Sequence, residues 1–152
     1  MNSPFFDSST PISAHEIALI ETSFRKLSRN SAQAAALFYT RLFDFDPLFR
    51  ALLKNDLPTA HRKFFHHLGT IVHRLDCYDL VRDYVSDLIA GHPYFANTDE
   101  HIRTIGAALF WMLEQMLGDD FTPDVYAAWM TVFVTLSNDL KTVTTRELAM
   151  VG

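Results

Sequence analysis

The sequence predicts an all-α domain of about seven helices of mixed length, joined by short connections. Two observations carry this prediction. Glycine and proline number only 5 and 6 in 152 residues, so breaks are few and elements are long. Between the breaks, apolar residues recur at helical steps of three and four. Ala, Leu, Phe and Met are abundant, which favours helices over a sandwich. With 49% hydrophobic and 13% aromatic residues, a chain of this length has ample material for one core. Such a pattern fits either a bundle or a crossed stack of helices.

Each element has a local reason. Residues 1–10 are polar, carry Pro4, and read as a flexible arm ahead of one domain spanning 11–152. Ser13 and Glu16 have capping-box spacing. Ile17, Ile20, Phe24 and Leu27 then follow at helical spacing to about Arg29. Asn30 and Ser31 interrupt. Residues 32–43, AQAAALFYTRLF, form a second helix, closed by the approach to Pro47. A short turn or helix covers Leu48–Leu53. Pro58 suits the first turn of the next helix, which runs from about Thr59 to Leu75. A further helix runs from about Tyr78 to Ala90 and stops at Gly91-His92-Pro93. Thr98, Asp99 and Glu100 open another, which runs to about Leu117 and ends at Gly118. Thr122-Pro123-Asp124 starts the last, which extends to about Leu148.

Charge and composition exclude several classes. The net charge is −5 and no Lys/Arg run exceeds two residues, so there is no nucleic-acid footprint. For the same reason an anionic membrane surface is not an expected partner. No apolar run reaches the length of a membrane span. The single cysteine, Cys77, cannot form an internal disulfide, in keeping with a reducing compartment. The N-terminus has neither the basic nor the apolar region of a secretory signal. A soluble, cytoplasmic protein is the expectation.

Histidines are the candidates for chemistry: His15, His61, His66, His67, His73, His92 and His101. There is no HExxH and no cysteine cluster, and the spacing of His66 and His73 is weak support for zinc. No GxSxG marks a nucleophile. His92 differs from the rest. It extends the series Leu80, Tyr84, Leu88 by one more step of four, which points it toward the interior at a helix end. An imidazole so presented suits an axial ligand of haem iron. It equally suits a core histidine bonded to a carbonyl.

Five stretches narrow the choice. Leu37 to Phe43 reads LFYTRLF, and Asp46-Pro47 leads into Arg50-Ala51-Leu52. Arg62-Lys63-Phe64 follows. Ile105-Gly106-Ala107-Ala108-Leu109 and Leu117-Gly118-Asp119, with Thr122-Pro123 and Ala128-Trp129, complete the set. In this order and spacing they resemble the bacterial single-domain globins and the globin part of flavohaemoglobins, over nearly the whole chain after Ile12. The resemblance implies a globin-like fold crossing around a haem pocket, with haem b as cofactor. It puts His92 on the proximal iron ligand, Leu88 one turn before it, and His101 on a position that does not bind iron. Tyr39 matches the distal tyrosine, whose hydroxyl could donate to a gas ligand.

Helix geometry gathers Ala60, Phe64, His67 and Ile71 on one stripe. The resemblance puts Ala60 where Gln or His is usual, Phe64 where Leu is usual, and Leu53 where a Phe stacks on the haem. Lys63 matches a residue that reaches a haem propionate. His61 lies beside Ala60, about 100° round the helix, and a one-residue shift would bring it over the iron as a distal ligand. His67 lies two turns deeper, toward the back of the pocket. Ile102 and Thr144 replace the family's Tyr and Glu that support the proximal histidine, which argues against peroxidase-like chemistry.

The functional expectation is therefore a globin that reversibly binds a diatomic gas: oxygen, nitric oxide or carbon monoxide. A haem-free sensor or interaction module is the alternative. Nitric-oxide dioxygenase or weak peroxidase activity ranks third, the former needing an external reductase. A homodimer is compatible with all three.

Overall fold

The computed structural model describes residues 11–53, 57–90 and 99–151, and the side chains of 11–51, 57–90 and 99–140. The arm at 1–10 lies outside them. Helix α1 spans Ala14–Ser28 and opens on a complete capping box. Ser13 Oγ accepts from the Glu16 amide at 3.1 Å, and Glu16 Oε1 accepts from the Ser13 amide at 3.0 Å. Asn30 then caps α2, Ser31–Phe45, its side chain accepting from the Gln33 amide at 3.4 Å. Helix α2 continues two residues past the expected Phe43. The restriction imposed by Pro47 falls only on the residue before it, and Asp46 alone is extended (φ −144°, ψ 96°). Asp46 Oδ1 accepts from the Leu48 amide at 3.1 Å and so opens α3, Pro47–Leu53.

Helix α4 covers Leu57–His73, starting and ending two residues earlier than expected. Its first turn takes in Pro58, where an amide has no intrahelical partner to lose. Helix α5 covers Tyr78–Ala90, with the expected bounds. Helix α6 covers Asp99–Leu117 and ends at Gly118, whose φ of 53° is the left-handed conformation that glycine adopts at no steric cost. After the 3₁₀ turn Gly118–Asp120, Thr122 Oγ1 accepts from the Val125 amide at 3.3 Å and starts α7, Pro123–Val151. No strand occurs among the described residues, and no helix there is long and apolar enough to cross a membrane.

The core lies where α2 crosses α6 and α1 crosses α7. Leu27, Phe38, Leu42, Met112, Leu113 and Trp129 are buried there. Trp129 donates from its indole N–H to Ser23 Oγ at 2.9 Å, tying α7 to α1. Gly106 lets α6 and α7 come close: a Cβ there would lie 2.4 Å from Phe133 Cζ. Helix α4 also packs on α2.

Helix α5 corrects one expectation. The series Leu80, Tyr84, Leu88 has the spacing of an inward stripe, yet Leu80 is 52% exposed. The buried residues of α5 are Tyr78 and Val81. A strict step of four advances about 400°, so the series drifts about 40° round the helix at each step. It begins on the solvent side at Leu80 and reaches half-buried positions at Tyr84 and Leu88. The next member, His92, lies outside the described residues.

Candidate functional site

The facing surfaces of α2 and α4 bring four of the expected residues together: Tyr39, Ala60, His61 and Phe64. Phe38 and Phe64 stack at 4.2 Å with an interplanar angle of 16°. Tyr39 stacks on His61 at 5.2 Å and 12°, and meets Phe64 edge-on at 5.8 Å. The Tyr39 hydroxyl donates to the carbonyl of Ala60 at 3.2 Å. Burial pushes its pKa up to about 12, so the phenol keeps its proton across the physiological range. That proton is directed at the backbone of α4. Donation to a gas ligand, as the sequence led one to expect of Tyr39, requires the bond to Ala60 to break first.

His61 is the least satisfied group in the cluster. Its Nε2 is buried and has no hydrogen-bond partner. Burial also pulls its pKa below the ordinary 6.5, which holds the ring neutral. A neutral imidazole with an open nitrogen in an aromatic setting suits coordination to a metal centre. A cleft of about 280 Å³ opens beside it, lined by Tyr39, Thr40, Phe43, Arg50, Leu57 and His61 among others. The guanidinium carbon of Arg50 sits over the Phe43 ring, 5.9 Å from its centre.

The lowered pKa gives a pH dependence of defined sign. In the window from 6.5 down to the folded value, the unfolded chain binds a proton that the folded chain does not. Stability contributed by neutral His61 is thus full above the window and is lost as pH falls through it. Urea unfolding at about pH 7.5 and about pH 5.5 checks this, since the range brackets histidine titration. The native chain is expected to lose more stability on acidification than His61→Leu. Equal losses would remove His61 as the cause.

The other expected residues lie elsewhere. His67 bridges to α5, its Nδ1 2.6 Å from the Tyr84 hydroxyl. Lys63 is exposed and Leu88 half-buried. His101 sits at the corner between α2 and α3, 3.7 Å from Asp46 Oδ2 and edge-on to Phe49 at 5.6 Å. The Leu53 side chain, the Thr144 side chain and His92 lie outside the described residues. Sequence reasoning gave no role to Tyr84 beyond its place in a stripe. Its partner is 17 residues away, and no local pattern signals the pairing. Phe38, the stacking partner of Phe64, was legible only as a member of the LFYTRLF run.

No protein-family model matches the chain. It is 24% identical over 136 residues to neuroglobin of Danio rerio, covering 80% of this chain and 86% of that protein. It is 28% identical over 137 residues to a flavohemoprotein of Xylella fastidiosa, covering 88% of this chain but 34% of that protein. Neuroglobin-2 of Oncorhynchus mykiss is 23% identical over 129 residues, 76% and 81% of the two chains. Among solved structures, a hexacoordinated haem protein from an anhydrobiotic tardigrade matches with a TM-score of 0.74 at 17% identity, covering 93% of this chain and 97% of that one. The similarity is to globins of several kinds rather than to the bacterial single-domain branch alone, and the chain has a globin-like fold.

Proposed function

We propose that the chain binds haem b between α4 and α5 and binds a diatomic gas reversibly at its iron. The observation that carries this reading is the buried, unpartnered Nε2 of His61 on the α4 wall of a globin-like fold. When bound, haem would supply an iron to which histidines of the chain and a gas could bind. His92, two residues after Ala90 in the sequence, is the residue assigned to hold the iron, on the resemblance to bacterial single-domain globins. His61, with its buried open Nε2, would be a second histidine to hold the iron at rest. The tardigrade protein of similar fold is a hexacoordinated haem protein, which supports that assignment.

The remaining residues have supporting roles. The Tyr39 ring lies flat on His61 and holds the imidazole in orientation, while its hydroxyl fixes the ring to Ala60. Phe38 and Phe64 keep water from the α4 side. Lys63, exposed on α4, suits a haem propionate. Cys77 is a free, exposed thiol, which supports a reducing, cytoplasmic setting.

Absorption spectra of the purified or haem-reconstituted protein test the reading. The expected result is a Soret band and a six-coordinate ferrous spectrum that carbon monoxide converts. His92→Ala is expected to abolish stable haem retention. A protein that takes up no haem, or whose spectrum ignores His92→Ala, would overturn it.

A further inference from the structure

His67 and Tyr84 stand outside the Tyr39–His61 cluster and join α4 to α5. The Nδ1 of His67 lies 2.6 Å from the Tyr84 oxygen, and the two rings meet at 56° with centroids 5.9 Å apart. Both side chains are half-buried. The guanidinium carbon of Arg74 sits 5.4 Å from the centre of the Tyr84 ring. A phenol that loses an electron becomes strongly acidic, and a positive charge left on a half-buried ring is costly. A base already in hydrogen-bond contact removes that cost by taking the proton as the electron leaves.

We propose that Tyr84 and His67 form a proton-coupled redox pair. A one-electron oxidant of high potential takes one electron from Tyr84. The phenolic O–H bond breaks and an N–H bond forms at His67 Nδ1. A neutral phenoxyl radical and an imidazolium remain, and a one-electron reductant reverses the step. The starting state is the neutral imidazole with its proton on Nε2, so that Tyr84 donates to Nδ1. Arg74 stabilises the electrons of the ring, which confines the reaction to strong oxidants. A haem, when bound, would supply an oxidant of that class on reaction with a peroxide. This source, unlike the pair itself, rests on the preceding reading. The pair would then carry oxidising equivalents away from the pocket.

Two of the other tyrosines, Tyr39 and Tyr78, are engaged differently. Tyr39 donates to a backbone carbonyl, which does not accept a proton outright. Tyr78 donates to Asp139 Oδ2 at 2.5 Å, and a carboxylate is a weaker base than imidazole by about 2.6 pKa units in the unperturbed groups. Among Tyr39, Tyr78 and Tyr84, Tyr84 is therefore the preferred site of the radical.

The test uses the full chain and two oxidants: a photogenerated trivalent ruthenium tris-bipyridine complex, and hydrogen peroxide. Freeze-quench electron paramagnetic resonance reads the radical, and transient absorption reads its rate of formation. With the ruthenium oxidant, Tyr84→Phe is expected to remove the radical and Tyr78→Phe to leave it. His67→Gln, which keeps a hydrogen bond but removes the base, is expected to slow its formation about 10²-fold. A radical that survives Tyr84→Phe, one that disappears in Tyr78→Phe, or a rate unchanged in His67→Gln would overturn the pair. A radical with ruthenium but none with peroxide keeps the pair and removes haem as its oxidant. The absorption spectrum of the same sample reports whether haem is present.

Discussion

His61→Val is expected to convert the resting ferrous spectrum from six- to five-coordinate and to tighten carbon monoxide binding about 10²-fold, if the free form is occupied by His61 about 99% of the time. A ligand that must displace an internal competitor binds with an affinity reduced by the fraction of open sites. Removing the competitor restores the intrinsic affinity. The structure gives His61 what such a competitor needs. Its Nε2 is buried without a partner, its ring is kept neutral by burial, and Tyr39 stacks on it at 5.2 Å. Valine is β-branched and apolar, so it keeps part of the packing while supplying no lone pair. The loss of the stacked ring costs about 1 kcal/mol of stability, too little to unfold the chain. Carbon monoxide titration and rebinding after flash photolysis measure the change. An affinity and resting spectrum equal to the native ones would show that His61 stays off the iron.

Helix boundaries were readable because each rests on neighbours in sequence. The pairing of Ser13 with Glu16, the approach to Pro47, the left-handed Gly118 and the Thr122 cap all act within about one helical turn. Facing was less readable. Steps of four suggested that Leu80, Tyr84 and Leu88 share an inward face, but the accumulated drift leaves Leu80 in solvent. On α4, the sequence put Ala60 toward the ligand and left His61 about 100° to the side. The structure stacks His61 on Tyr39, and the Tyr39 hydroxyl donates to the Ala60 carbonyl, a hydrogen bond that spans 21 residues. His67, expected toward the back of the pocket, meets Tyr84 of α5, a pairing that the sequence did not signal. Contacts of this kind depend on how two helices cross, and no periodicity within either helix encodes the crossing.

The seam between α1 and α7 carries the largest expected stability effect. Trp129 is 4% exposed and donates to Ser23 Oγ at 2.9 Å, while the Ser23 hydroxyl donates to the Ile20 carbonyl at 2.9 Å. Trp129→Ala is expected to cost about 3–5 kcal/mol, since it leaves a cavity that the helices cannot fully close. That is a large share of the roughly 5–15 kcal/mol that holds a typical domain folded. The two partners are unequal in what they leave behind. Removing the indole leaves Ser23 still bonded to Ile20. Ser23→Ala instead strands a buried N–H, at an expected cost of about 1–3 kcal/mol despite deleting a single oxygen. Trp129→Phe removes the donor and keeps much of the apolar volume. Adding Ser23→Ala to Trp129→Phe is therefore expected to cost much less than Ser23→Ala alone, and urea unfolding of the four chains measures that coupling. Additive costs would mean that Ser23 acts by packing rather than as the acceptor of Trp129. The seam lies on α1 and α7, whereas the ring cluster lies on α2 and α4, so the folded fraction of each variant is expected to bind carbon monoxide with native affinity.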